Sequence, residues 1–294
     1  MNRIVVMGSS GRLGRMLRAS WGLKPNLAFV PIYQYRRPAL SNWDLFWSSN
    51  VDPADFARSL RNLCPISSDV TSAVAAMIIL AGVTPTSGGR LDENTAITRA
   101  CLLAAQAAGI KRVLIASSSA VYGIDHTGPI TEQTLPAPST EYGRQKFAME
   151  QLCQQPAWRH LEISILRIGN VAGADALMLN HYLNPNAPLP LDVFPNGKSL
   201  QRSYVGPMTL AAIFETLLST QYVLPPVINI AAPLPVYMDD LALAAGVTWR
   251  PRCASSTIVQ DITLDTSLLQ MLHRFGLYDS SPMAMVQQLK KIGL

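Results

Sequence analysis

The chain has 294 residues, about two domain-lengths at roughly 150 residues per domain, and can bury a core without disulfide or metal staples. Hydrophobic residues make up 49% and charged residues 15%, which excludes disorder as the dominant state. The longest apolar run, the 11 residues from Ala73 to Val83, falls short of the roughly 20 that cross a membrane, so it reads as a buried strand.

Met1-Asn2-Arg3 runs straight into Ile4-Val5-Val6-Met7, which leaves no room for a signal peptide's apolar segment and small-residue cleavage site. The four cysteines, Cys64, Cys101, Cys153 and Cys253, lie far apart with no Cys-x-x-Cys pair. Reduced thiols in a cytoplasmic protein are the expectation. The excess of 24 basic over 19 acidic residues is modest and unclustered. Neither nucleic acid nor a membrane is an expected partner, whereas an anionic small molecule fits. His126, His160, His181 and His273 lack metal-ligand spacing, and no metal site is expected.

Ile4 to Met7 is a continuous apolar run, as in a strand buried on both faces of a parallel sheet. Gly8-Ser9-Ser10-Gly11-Arg12-Leu13-Gly14 follows, then a helical pattern at Met16-Leu17-Arg18-Ala19. Strand, glycine turn and helix in that order read as a dinucleotide-binding unit. Gly8 permits the tight turn, Gly11 lets backbone approach a pyrophosphate, and Gly14 lets helix and strand pack closely. Ser10, Arg12 and Leu13 would lie with them beneath the helix's unpaired N–H groups.

A second strand is expected from Leu27 to Tyr35, ending at Arg36-Arg37. An NAD-binding unit holds an acid there for the ribose 2′-hydroxyl. Two arginines, with Arg12 in the turn, suit a 2′-phosphate instead, so NADP is favoured over NAD. Asp44 and Leu45 come next as further cofactor candidates, and Asp52-Pro53-Ala54-Asp55 reads as a helix start. Ala76 to Gly82 forms another buried strand, whose end at Leu80, Ala81 and Gly82 would meet the cofactor at the carboxyl edge of the sheet. A helix from Asp92 through Ala108 stops at Gly109, and Lys111-Arg112 lead into a strand at Val113 to Ala116. Strands alternating with helices predict an α/β fold with a doubly wound parallel sheet.

Ser117-Ser118-Ser119-Ala120-Val121-Tyr122-Gly123 follows that strand, and Glu141-Tyr142-Gly143-Arg144-Gln145-Lys146 opens a helix. A tyrosine and a lysine four apart share a helix face, about 6 Å apart along the axis. A phenol near its ordinary pKa of about 10 is a poor acid–base catalyst at neutral pH. A neighbouring ammonium and the positive charge of a bound nicotinamide both favour the phenolate. A serine hydroxyl at an adjacent strand end can hold the substrate oxygen.

With these residues in this order, the chain resembles the extended short-chain dehydrogenases/reductases of the NAD(P)-dependent epimerase/dehydratase family. The likeness rests on Gly8, Gly11 and Gly14, on the Ser-Ser-x-x-Val-Tyr-Gly-type strand end, and on Tyr142-x-x-x-Lys146. It extends less distinctively to Leu166–Gly173, Gly197–Val205, Val227–Ala231 and Leu264–Ser267. The resemblance implies that Tyr142 is the acid/base and that Lys146 lowers its pKa while holding the nicotinamide ribose. It implies Ser118 as the catalytic hydroxyl, flanked by Ser117 and Ser119, and Arg202 as a ligand of substrate phosphates. Thr84, Ser119 and Asn170 are the other expected substrate contacts. A Rossmann-type domain is expected at 1–170 plus 205–232, and a smaller substrate domain at 171–204 plus 233–294, with the site in the cleft between them. Family members often dimerise through helices bearing residues like Leu102 and Tyr142, so a homodimer is an expectation too.

The chain departs from the family pattern in places. Ser119-Ala120 stand where water-eliminating members carry Asp-Glu, which disfavours dehydratase chemistry. Thr209, after Gly206-Pro207-Met208, stands where an aspartate is usual and implies a remodelled substrate-side loop. The chain is also short for a nucleotide-sugar epimerase, which suggests a trimmed substrate domain. Leu183 to Pro195, with Pro185, Pro188, Pro190 and Pro195, reads as an extended, semi-rigid loop over the site. The expected reaction is hydride transfer at a carbinol or carbonyl carbon of a sugar nucleotide or related small molecule, by an epimerase or a net oxidoreductase. Two alternatives stand beside it: an NADPH-dependent carbonyl reductase with a non-nucleotide substrate, and a non-catalytic NADP-sensing protein.

Overall fold

Successive side chains of a strand point to opposite faces of its sheet, and in β1 (Asn2–Met7) both sets are apolar and buried from Ile4 onward. The computed structural model describes residues 2–36, 44–63 and 74–293, and in it Ile4 and Val6 enter one buried cluster while Val5 and Met7 enter another. Helix α1 (Arg12–Gly22) covers the first face with Met16, Leu17 and Trp21. The second face is covered by α2 (Pro53–Leu63), α3 (Glu93–Ala107) and α4 (Glu141–Cys153) through Phe56, Leu60, Leu102 and Met149.

The sheet has seven strands. Numbered along the chain, β2 (Phe29–Tyr35), β3 (Leu45–Phe46), β4 (Val74–Ile79), β5 (Arg112–Ser118), β6 (Glu162–Ile168) and β11 (Val227–Ile230) join β1 in the order β11-β6-β5-β4-β1-β2-β3. Every pairing is parallel. The chain winds outward from β1 through β2 to β3, then resumes on the other side at β4. The carboxyl ends of β1 and β4 therefore flank a topological switch point, the crevice where ligands bind in such sheets. Boundaries differ from the sequence pattern: the strand expected at Ala76 to Gly82 is Val74–Ile79, so Leu80, Ala81 and Gly82 lie just past it, and the helix expected at Asp92 through Ala108 is Glu93–Ala107. Strand β2 begins at Phe29 rather than Leu27, and β5 runs on to Ser118, which places that serine at the strand's end.

The remaining elements lie beyond the carboxyl edge or around it. Strand β7 (Asn170–Val171) pairs in parallel with β10 (Tyr204–Val205). Strand β9 (Gln201–Arg202) lies between β12 (Val236–Tyr237) and β14 (Asp261–Ile262). Helices α5 (Ala176–Leu183), α6 (Pro207–Ser219), α7 (Met238–Ala245), α8 (Ser267–Leu272) and α9 (Pro282–Lys291) complete the chain, and α6 packs on α1. The stretch from Leu183 to Pro195, read as a loop, instead contains β8 (Leu189–Val193), paired in parallel with β13 (Trp249–Cys253). Leu189 and Leu191 are buried there. A two-stranded pair leaves each strand one free edge, which accommodates Pro190 and Pro251.

Thr209 lies in the first turn of α6. The first N–H groups of a helix have no partner within it. Here the Oε1 of Gln288, from α9, accepts from both Met208 and Thr209 N–H at 3.0 Å. Gln288 Nε2 donates to Thr209 Oγ1 at 2.9 Å, and that hydroxyl donates to Asp279 at 3.0 Å. Among the described residues no helix is long and apolar enough to cross a membrane, and no group of three or more His, Cys, Asp or Glu could hold a metal. Cys101, Cys153 and Cys253 are free thiols; Cys64 lies outside the described residues.

Candidate active site

The chain leaves β1 through Gly8, whose φ is +82°, a conformation that costs glycine little and other residues much. A Cβ on Gly8 would lie 2.5 Å from the Ala81 nitrogen, so the ends of β1 and β4 touch at the switch point. A Cβ on Gly14 would lie 2.6 Å from the Gly8 carbonyl oxygen and from the Ser9 Cα. The N-cap of α1, Gly11, makes no side-chain hydrogen bond, and the helix's first turn has no acid. Its N–H groups thus open toward the exposed Ser10 and Gly11 without a competing negative charge, which fits a pyrophosphate. Leu13 packs against the core beneath.

From the end of β2 the residue that faces this turn is Gln34. Its Oε1 accepts the Gly8 N–H at 2.9 Å, and its Nε2 donates to the Trp47 carbonyl. Arg36 is exposed just past the strand, and Arg37 lies outside the described residues. Arg12 turns away from this end. Its Nη1 donates to the Ala174 carbonyl at 3.0 Å and its Nη2 to the Thr86 hydroxyl, spanning the cleft. Leu45 is buried. Arg18 lies over the Tyr33 and Tyr35 rings, 5.3 and 5.8 Å from their centroids. Burial, with the nearby Asp44 charge, pushes both phenols up against the opposing pull of Arg18.

Ser118 ends β5, and Tyr142 stands on the first turn of α4. Thr140 caps that helix by accepting the Gly143 N–H at 3.1 Å. A Cβ on Gly143 would overlap the Ala120 carbonyl oxygen, so only glycine lets the helix start come this close to the turn after β5. The approach brings the Tyr142 phenol and Ser118 to the wall of one cleft, and the Ser118 Oγ accepts the Ala120 N–H at 3.2 Å. Burial raises the phenol above its ordinary value, while the Ser118 hydroxyl and the Arg12 charge oppose that rise.

One turn along, Lys146 is 6% exposed, and its Nζ donates to the Ala116 carbonyl at 2.9 Å with the Met149 sulfur at 3.9 Å. A Cβ on Gly82 would lie 3.5 Å from that Nζ, so the segment that follows β4 borders the lysine. Burial lowers Lys146 to about 8 against the upward pull of Glu150 and Cys153. Asn94 pins the loop that follows Gly82: it accepts the Val83 N–H at 2.9 Å and donates to the Val83 and Leu91 carbonyls at 3.0 and 2.9 Å.

Ser118, Ser119, Tyr142, Asn170 and Arg202 line a single cleft of about 320 Å³. Thr84 is not on its wall; it sits in a turn closed by the Ser87 hydroxyl. Arg202 Nη1 donates to the Gln201 and Gln260 carbonyls at 2.7 and 2.6 Å, and Nη2 to the Val259 carbonyl at 3.1 Å. Among the described residues no carboxylate forms a salt bridge with it, and burial lowers its pKa. A larger cavity, about 450 Å³, opens among Asn2, Lys111 and Arg112 at the amino-terminal edge of the sheet and holds none of the candidate residues. The pattern of residues did not single out Gln34, Asn94, Gly143 or Glu150. Gln34 lies two residues before Arg36, and Glu150 four after Lys146, so spacing marks both only once a face is known.

A doubly wound parallel sheet with a glycine turn at its switch point defines a Rossmann-type protein. Residues 4–187 match the profile of the NAD dependent epimerase/dehydratase family, and the chain belongs to that family of enzymes. A UDP-glucose 4-epimerase of Rhizobium leguminosarum bv. trifolii is 40% identical over 85 residues, 29% of this chain and 26% of that protein. The curated relatives are matched over about a quarter of their length or less. Among solved structures, the UDP-glucose 4-epimerase from Brucella ovis in complex with NAD superposes with a TM-score of 0.76 at 18% identity, covering 98% of this chain and 97% of that one. RMD from Pseudomonas aeruginosa complexed with NADPH gives 0.66 at 20% identity, with 98% of each chain covered. At these identities the superpositions speak for the fold.

Proposed function

We propose that the protein transfers hydride between a nicotinamide dinucleotide and a carbinol or carbonyl carbon of a sugar nucleotide or related small molecule. The observation that carries this reading is that Ser118 and Tyr142 line the same 320 Å³ cleft, with Lys146 buried one helical turn on. The glycine turn and the open α1 N-terminus suit the cofactor's pyrophosphate, and Leu80, Ala81, Gly82 and Lys146 border the place for its nicotinamide end. When bound, the dinucleotide accepts or supplies hydride at its ring carbon. As phenolate, Tyr142 takes the proton from the substrate hydroxyl during oxidation, and it returns that proton during reduction. Ser118 donates a hydrogen bond to the same oxygen and holds it beside the phenol. Lys146 supplies positive charge to the phenolate side of this balance. Asn170 and Arg202 hold the rest of the substrate, Arg202 through a guanidinium that no carboxylate among the described residues salt-bridges, suited to phosphate.

On this reading the cleft lies between a cofactor domain, 1–170 plus 205–232, and a substrate domain, 171–204 plus 233–294. In an epimerase hydride leaves one face of the carbon and returns to the other, and Tyr142 takes the oxygen's proton and gives it back; a net reductase makes only the second of these transfers. Gln34 favours a second reading as an NADPH-dependent carbonyl reductase. A neutral amide at the turn neither repels a 2′-phosphate nor replaces the acid that holds a ribose diol, and Arg36 stands two residues on.

The full chain, mixed with UDP-glucose, UDP-galactose or UDP-glucuronic acid and either NAD⁺ or NADP⁺, tests the first reading. Sugar interconversion without net change at 340 nm is the epimerase outcome. Net oxidation of NADPH with a carbonyl substrate is the reductase outcome. A folded protein that binds neither cofactor overturns both.

A further inference from the structure

Glu150 is fully buried, a costly place for a carboxylate unless it is paired and hydrogen-bonded. It has both. Ser117 Oγ donates to its Oε1 at 2.5 Å, and Arg167 grips it side-on, with Nε at 3.2 Å from both oxygens and Nη2 at 2.7 Å from Oε2. Arg167 is held in turn over the Tyr122 ring, 4.6 Å from its centroid. Tyr122 donates to Asn229 at 2.7 Å, and Glu132 accepts the Asn229 N–H at 2.9 Å. Well-packed apolar groups often serve as well as a buried ion pair for stability alone, so its placement asks for another reason.

The placement is specific. Residues four apart on a helix are neighbours, and Glu150 follows Lys146 by four on α4. The strand repeats the arrangement: Ala116 receives the Lys146 ammonium, Ser117 holds Glu150, and Ser118 meets Tyr142. Three consecutive residues of β5 thus address three residues spaced four apart on α4. Groups facing Lys146 from the other packed elements are neutral: the Ala116 carbonyl of β5, the Met149 sulfur, and the Gly82 backbone beside Asn94. The Cys153 thiol is pushed up to about 12 by burial. Arg12 acts on Tyr142 from across the cleft, and Arg167 and Glu132 lie behind Glu150. Glu150 is therefore the nearby negative charge that offsets burial of the lysine.

We propose that Glu150 is a positioning residue: its carboxylate, fixed by Ser117 and Arg167 one turn from Lys146, keeps that buried side chain an ammonium at neutral pH. The inference rests on the reading of Tyr142 and Lys146 as the acid–base pair. The charge cannot be lost through solvent competition, because neither Glu150 nor Lys146 is open to water.

The test reads the lysine itself and needs no substrate. The chain has six lysines, so an NMR titration of full-length protein with ¹³C-labelled lysine side chains gives few resonances, and Lys146 is the one absent from Lys146→Met. In Glu150→Gln its midpoint should fall by one pH unit or more, so that much of the amine is neutral at pH 7. In Glu150→Asp it should return toward the parent value. If Glu150→Gln fails to fold with Arg167 left unpaired, the double variant Glu150→Gln/Arg167→Gln removes both charges; its Lys146 midpoint should still fall, by less, because the more distant positive charge goes with the carboxylate, and an unmoved midpoint there counts against the proposal in the same way. An unmoved Lys146 midpoint in the folded variant overturns the proposal while leaving the hydride-transfer reading intact. A parent protein that binds neither NADH nor NADPH overturns that reading whatever the lysine does.

Discussion

Gly143 and the Ala120 carbonyl are in such close apposition that no Cβ fits between them. Helix α4 is thereby pressed onto the turn after β5, and this contact delivers Tyr142 to Ser118. Gly143→Ala must push the two elements apart. The expected cost is about 1–3 kcal/mol of stability, as for overpacking elsewhere, together with a fall in turnover of roughly 100-fold from a misplaced phenol. Thermal unfolding and steady-state kinetics measure the two. Cofactor affinity should hardly change, since the glycine turn is untouched. A variant as stable and active as the parent would show that the apposition does not set the site.

Tyr142→Phe removes the phenolic oxygen and little else. Turnover should fall by about 10²–10⁴-fold, the usual contribution of a positioned acid–base group, with NADH or NADPH affinity nearly unchanged. Kinetics and a fluorescence titration of the same preparation measure both. Unimpaired turnover would remove Tyr142 from the mechanism.

Arg12 bears on the pH dependence. Burial raises the Tyr142 phenol, and the Ser118 hydroxyl and the Arg12 charge oppose that rise. Without that charge the phenol keeps its proton to higher pH. Substrate oxidation needs the phenolate, so in Arg12→Gln the limb of the rate that rises with pH should move alkaline. Reduction needs the protonated phenol, so its falling limb should move the same way. Rate profiles from pH 6 to 10 measure the displacement. A rate that drops without any displacement would mean that Arg12 acts only by tying Thr86 to Ala174.

Arg36→Ala combined with Arg37→Ala should weaken NADPH binding by about tenfold or more while leaving NADH nearly unaffected, because a guanidinium pairs with a 2′-phosphate and not with a diol. Isothermal titration with each cofactor measures this. Equal losses for both would end the case for NADP. Replacing Gln34 with Glu should shift preference toward NAD, by restoring an acid beside the Gly8 N–H.

Much of this architecture can be read from the chain, for physical reasons. Apolar runs such as Ile4–Met7 mark strands buried on both faces, and glycines at 8 and 14 answer backbone approaches of 2.6 Å or less that a Cβ would block, with a tighter-than-usual 3.2 Å at Gly11. What stays hidden depends on approach between distant segments. Thr209 looks like a lost carboxylate until Gln288, 79 residues away, is seen supplying the acceptor. Leu183–Pro195 reads as a loop because its prolines mask a strand whose partner lies some 60 residues on. The arginines after β2 draw notice by charge, yet the residue that meets the turn is Gln34. Gly143 passes unremarked between Tyr142 and Lys146 because only tertiary packing shows why a side chain is excluded there.

The claim on which everything depends is that a nicotinamide dinucleotide lies over the Gly8–Gly14 turn with its reactive end toward Tyr142. Titration of the full-length protein with NADH and NADPH, followed by nicotinamide fluorescence, addresses it directly. At least one of the two should bind, and binding should vanish in a folded Gly11→Glu variant, whose carboxylate would occupy the phosphate position at the α1 N-terminus. Failure of both dinucleotides to bind the parent protein, or undiminished binding by the variant, would contradict it.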